Sequence, residues 1–146
     1  MRNRIAVLHG VNLDSLDRRP AEHYGGGLTF MGLERAIGAF AQELGLRAHF
    51  FQSNHEGEYC EELHKAADYS DALLLNPGAW THYSWAIRDA LEVAGLPAAE
   101  VHLSDVDARE EFRRVSVIRD LCAIRVAGEG VAGYRTALAG LKEVLP

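Results

Sequence analysis

The stretch Ala72-Leu73-Leu74-Leu75-Asn76-Pro77-Gly78-Ala79-Trp80-Thr81-His82 holds the key to the architecture. An uninterrupted apolar run of four residues reads as a strand buried on both faces, which is the habit of parallel sheets covered by helices. The run stops at an amide, Asn76, and a helical segment follows around Ser84 to Val93, closing near Gly95 and Pro97. A strand, a polar turn and a helix make up the repeating unit of an α/β domain.

The same unit recurs on both sides. Arg4 to His9 reads as a first buried strand, followed by a long loop to Gly27 rich in Gly, Asp, Arg and Pro. Phe30, Leu33, Ile37, Phe40 and Leu44 recur at helical spacing, with Thr29 as the expected cap and Gly45 as the stop. Arg47 to Gln52 forms a second strand, Glu58 to Tyr69 a second helix, Ala99 to Leu103 a fourth strand and Ala123 to Val126 a fifth. Val131, Tyr134, Leu138, Leu141 and Leu145 mark one face of a last helix. Five strands with intervening helices predict one flavodoxin-like, three-layer α/β sandwich over residues 1–146, for which the parallel order 2-1-3-4-5 is a common solution.

Composition narrows the class of function. With 146 residues, 48% of them hydrophobic and 25% charged, one core can form without metal or disulfides. Twenty-one acidic against 15 basic residues, a formal charge of -6, disfavour nucleic acid and anionic membrane as partners and point to a small molecule. Cys60 and Cys122 lack the paired spacing of a zinc or dithiol site and read as reduced structural thiols. The apolar stretch Ile5 to Leu8 is too short for a signal peptide or a span, so a cytoplasmic address is expected.

The polar residues with useful chemistry collect at strand ends. Asn12 follows the first strand, Gln52, Ser53 and Asn54 the second, and Asn76 the third, while His102 and Ser104 close the fourth. Ligands of open α/β sheets bind at that carboxyl edge. The first strand is not followed by a GxGxxG and no Walker loop occurs, so dinucleotide and triphosphate chemistry is not indicated. Gly25-Gly26-Gly27, after Arg18, Arg19 and Tyr24, has the composition of a closing lid, or of a plain flexible loop. Glu100 and His102, two apart on one strand, face the same way, so the carboxylate can orient or charge the imidazole. Arg113, four residues after Arg109, is expected on one face of a short helix that Asp107 and Glu110 would cap. Metal binding by Asp105, Asp107, Glu110 and Glu111 has no supporting ligand spacing, and no metal is assigned.

Five blocks in order, His9-Gly10-Val11-Asn12-Leu13, Arg18 to Gly26, Gln52 to Glu58, Asn76 to His82 and Glu100 to Arg113, resemble the type II 3-dehydroquinate dehydratases over nearly the full chain. The resemblance implies a cofactor-free elimination of water from 3-dehydroquinate through an enolate, in a dodecamer built from trimers. It assigns the base to Tyr24, its activation to Arg19 and Arg109, enolate stabilisation to Asn12, and the acid to His102 with Glu100 behind it. An unperturbed tyrosine, with a pKa of ~10, needs such activation to serve as a base at neutral pH. Substrate carboxylate recognition falls to Asn76, Leu103 and Ser104 and ring hydroxyls to Arg113 and His82, with Gly78 and Ala79 as further substrate-binding positions. Asp89 matches a residue that reaches into a neighbouring subunit's site.

The pattern also breaks. Val11 stands for a usual proline, Asp17 for a glycine, and Arg19-Pro20-Ala21 for an Arg-Glu-Pro order. Asp107 replaces a customary histidine, Val115 and Val117 a His and a Tyr, and Arg119-Asp120 a Ser-Pro. These changes leave open a paralogue that dehydrates or binds a related cyclic polyhydroxy acid, or a ligand-binding protein without turnover. A flavodoxin-type electron carrier is a third reading, on fold analogy alone.

Overall fold

A computed structural model describes residues 2–146. Strands β1 (Arg4–His9), β2 (Arg47–Gln52), β3 (Ala72–Asn76), β4 (Ala98–His102) and β5 (Ile124–Ala127) form one sheet in the order β2-β1-β3-β4-β5, with all four pairings parallel. This is the flavodoxin-like order expected from the alternation of strands and helices. Helices α2 (Phe30–Glu43) and α5 (Ala132–Val144) cover one face, and α3 (Glu56–Tyr69) and α4 (Trp85–Ala94) the other. A four-residue helix α1 (Ala21–Tyr24) lies within the long loop after β1.

Alternation along the strands divides the core into two layers. Ile5, Val7, Leu74 and Val101 pack with Leu33 and Ile37 of α2 and Leu138 and Leu141 of α5. Ala6, Leu8, Leu73 and Leu75 pack with Tyr59 and Leu63 of α3 and Ile87 and Leu91 of α4. Each fully buried leucine or isoleucine contributes about 1.5–3 kcal/mol relative to exposure. The run from Ala72 to Asn76 is buried throughout, as a central parallel strand requires.

Local chemistry sets the element ends. The Thr29 hydroxyl accepts from the Gly32 amide at 3.0 Å, and Ser84 accepts from Ile87 at 3.0 Å. Observed bounds shift by one or two residues from the expected ones: α3 starts at Glu56, β4 spans Ala98–His102 and β5 spans Ile124–Ala127. Cys60 and Cys122 are free, and burial pushes the Cys122 thiol up to about 12, with Glu100 and Asp120 adding to it.

The segment after β4 differs from expectation. No helix carries both Arg109 and Arg113: Val106–Ala108 and Glu111–Arg114 are separate single 3-10 turns, and Arg109 between them is extended. Neither turn has a side-chain cap. Asp107 faces Arg125 and Arg119 instead, at 3.5 and 3.9 Å, and Glu110 accepts from Arg113 at 2.8 Å. So short a turn offers few free amides, and the arginines compete successfully for both carboxylates. Among the described residues no three His, Cys, Asp or Glu side chains gather as a metal cluster.

Candidate active site

The carboxyl ends of β1, β3 and β4 open into a cleft of about 370 Å³ lined by Asn12, Arg19, Tyr24, Asn76, Gly78, Ala79, His82, His102, Leu103, Ser104 and Arg113, with Val11, Leu13, Leu16 and Val106 supplying apolar wall. Two close backbone approaches shape its floor. A Cβ on Gly10 would stand 2.3 Å from the Pro77 carbonyl oxygen, and one on Gly78 would stand 2.6 Å from that of Val11. Gly78 also has φ +66°, a conformation that glycine adopts without penalty.

Tyr24 reaches the cleft from the end of α1. Its hydroxyl oxygen accepts from Arg19 Nη2 at 2.8 Å and from Arg109 Nη1 at 2.8 Å. Both guanidinium groups also lie near the ring face, at 4.5 and 5.5 Å from its centroid. Arg109 donates to the Ser104 hydroxyl as well, at 3.1 Å, which ties Tyr24 to the turn after β4. Arg109 does not line the cleft itself. It lines a second groove of about 750 Å³, bordered by residues 21–28 and the segment after β4.

His102 is 5% exposed yet forms part of the cleft wall. Its Nε2 lies 2.6 Å from Oε2 of the fully buried Glu100. The carboxylate is well served, since Oε2 also accepts from Thr81 and Oε1 accepts from Ser116, each at 2.7 Å. Burial pushes the Glu100 carboxyl up, but the hydrogen bonds from His102, Thr81 and Ser116 outweigh it and bring the group down to about 2. An ionised carboxylate only accepts, so Nε2 of His102 carries a proton and Nδ1 is the atom left for other partners.

His82 stacks beside His102 with ring centroids 6.5 Å apart. Its Nδ1 lies 2.7 Å from the Val115 carbonyl, which can only accept, so Nδ1 is the protonated nitrogen. Burial pushes this imidazole below its ordinary range, with the Val115 carbonyl opposing and His102 and Arg113 assisting. Neutral His82 therefore offers Nε2 as a hydrogen-bond acceptor.

Asn12 has φ +67°, alone among non-glycine described residues in the left-handed region. The Asn54 side chain holds it there, accepting from the Asn12 amide at 2.8 Å while donating to Asp14 at 3.0 Å. Asn76 is buried, donates to the Tyr134 hydroxyl at 3.0 Å and accepts from the Gly78 amide at 3.2 Å. Asp89 is exposed on α4 and does not line the cleft of its own chain. Sequence reasoning placed Asn54 at the carboxyl edge without a partner and passed over Thr81, Ser116, Tyr134 and Arg125 as site residues. Each acts on a residue distant in the chain, and among these four only the position of Thr81 within the Asn76 to His82 block hinted at a role.

The fold and site define a flavodoxin-like α/β protein with a cleft at the carboxyl edge of its sheet lined by tyrosine, histidine and arginine side chains. The family model for Dehydroquinase class II matches residues 3–142. The chain is 44% identical to a 3-dehydroquinate dehydratase of Caldicellulosiruptor bescii, over 97% of this chain and 98% of that one. The crystal structure of a type II dehydroquinase from Butyrivibrio crossotus superposes with a TM-score of 0.90 at 37% identity, covering 96% of this chain and 97% of that one. A type II dehydroquinase from Propionibacterium acnes gives 0.89 at 39% identity, covering 98% of each chain. The chain belongs to the class II dehydroquinase family.

Proposed function

We propose that this chain dehydrates 3-dehydroquinate to 3-dehydroshikimate by anti elimination, without a cofactor. Tyr24, as the phenolate, takes a proton from the carbon beside the ketone, and the electron pair moves onto the ketone oxygen. Asn12 donates to that developing enolate, directly or through a water. The enolate then collapses and expels the hydroxyl, which leaves as water with the proton supplied by His102.

The observation that carries this reading is the convergence of two guanidinium donors on the Tyr24 oxygen in the cleft that His102 also lines. Two such donors are placed to solvate a phenolate. The Leu103-Ser104 turn, Gly78, Ala79 and Asn76 would receive the substrate carboxylate, and Arg113 and His82 the ring hydroxyls, with Nε2 of His82 accepting from one of them. Asp89 would serve a neighbouring subunit in a dodecamer of four trimers. No helix among the described residues is long and apolar enough to cross a membrane.

Purified protein mixed with dehydroquinate and no added cofactor is expected to generate the ultraviolet absorbance of a conjugated enone. Absence of that absorbance with dehydroquinate and with related ring acids would overturn the reading.

A further inference from the structure

Behind the Glu100–His102 pair lies a charged group that no step above uses. Arg125 on β5 is in register with Glu100 on β4, and neighbours in register on parallel strands present their side chains on the same face of the sheet. Arg125 Nε lies 3.9 Å from Glu100 Oε1, and the side chain is 17% exposed. That nitrogen is buried and has no hydrogen-bond acceptor. Both Glu100 oxygens are already occupied by Ser116, Thr81 and His102. Arg125 thus meets the carboxylate as a charge rather than as a hydrogen-bond donor. A partly buried guanidinium without its full set of acceptors is costly to keep, and its geometry is too loose to make a strong ion pair.

We infer that Arg125 is a positioning residue for the reaction, one that sets through Glu100 how tightly His102 holds its proton, with Asp107 as the counterweight. The imidazolium is stabilised by the negative field of Glu100, and a cation behind the carboxylate weakens that field. His102 then parts with its proton more readily toward the leaving hydroxyl. Asp107 Oδ2, at 3.5 Å from Arg125 Nη1, neutralises part of the cation, and Arg119 at 3.9 Å in turn draws on Asp107. The remaining ionisable neighbours are accounted for. His82, Arg113, Arg19 and Tyr24 share the cleft with His102, and Arg109 binds both the Tyr24 hydroxyl and the Ser104 hydroxyl two residues on from His102; none of these groups is altered in the variants below. Tyr59 and Cys122, beneath Glu100, are kept protonated by burial.

The kinetic consequence rests on the dehydration reading above, whereas the titration does not, and this separates the two in one experiment. Histidine is labelled with 13C at Cε1 in the full-length protein, the His102 resonance is assigned by its loss in His102→Gln, and its midpoint is followed with pH. Arg125→Met is expected to raise the midpoint by about half to one pH unit, and Arg125→Lys to hold it near wild type. Asp107→Asn, at a side chain 50% exposed and so safe for folding, is expected to lower it. A purely structural role would not give opposite signs at the two positions. Midpoints that stay fixed in Asp107→Asn, or that move the same way in Asp107→Asn and Arg125→Met, overturn the inference. The pH profile of kcat/KM for dehydroquinate is measured on the same variants. If its limb fails to follow the midpoint, His102 is not the acid of the reaction, and the effect of Arg125 on His102 still stands.

Discussion

Nε2 of His102 and Oε2 of Glu100 are 2.6 Å apart, two residues from each other on the same face of β4, and Glu100 is sealed from solvent. The carboxylate fixes which ring nitrogen is bonded inward and so which one faces the cleft. His102→Ala is expected to lower kcat by about a hundred- to ten-thousandfold. Glu100→Gln keeps the shape but not the charge, and is expected to lower kcat by less than His102→Ala with little change in KM. Steady-state kinetics on both variants checks the order; a Glu100→Gln enzyme with wild-type kcat would contradict it.

Asn12 separates backbone from chemistry. Glycine adopts a φ of +67° freely, so Asn12→Gly should retain the fold and its stability while removing the side-chain donor. Its kcat is expected to fall by about a hundred- to a thousandfold, the cost of one oxyanion donor. Asn54→Ala should produce a milder loss, because it releases the Asn12 amide without removing the donor. Equal kcat for Asn12→Gly and wild type would remove Asn12 from the mechanism.

The floor of the cleft tolerates no side chain at Gly10. A Cβ 2.3 Å from the Pro77 carbonyl oxygen and 2.7 Å from its Cα meets rigid backbone, so Gly10→Ala is expected to cost about 2–4 kcal/mol. Denaturant unfolding measures this directly, and an unchanged midpoint would mean that the two loops separate easily.

Asp71 supplies a pH signature remote from the site. It accepts from the backbone amides of Asn3 and Arg4 at 3.1 and 2.9 Å, and pairs with the Arg4 guanidinium at 2.9 Å. The Arg4 side-chain hydrogen bond, above all, brings this carboxyl from its ordinary 3.8 down to about 2. A carboxyl depressed by folding adds stability that is fully present above the ordinary value and is lost as pH falls through the folded one. Unfolding free energy is thus expected to drop between pH 3.8 and about 2 in wild type, and less steeply in Asp71→Asn. Identical slopes in urea titrations of the two proteins would contradict the assignment.

Local signals carried much of the reading from sequence. The apolar run before Asn76 gave a central strand, Thr29 gave a cap, and the spacing of Glu100 and His102 gave a shared face. What failed was the segment from Asp107 to Arg113, where a capping pattern competed with arginines that are distant in the chain and whose approach no local rule reveals. The same holds for Thr81 on Glu100, 19 residues away, and for Arg109 on Tyr24, 85 residues away. The second of these contacts was expected only through the family resemblance. Contacts of that range are set by the sheet order, which the periodicity of single elements does not encode.

Tyr24→Phe is the most direct test of the account, since it deletes one oxygen and leaves the ring between Arg19 and Arg109. Turnover of dehydroquinate, followed by enone absorbance, is expected to fall by about a hundred- to ten-thousandfold. Equilibrium binding of substrate should stay close to wild type. A phenylalanine enzyme that turns over within a few-fold of wild type would contradict the assignment of Tyr24 as the base.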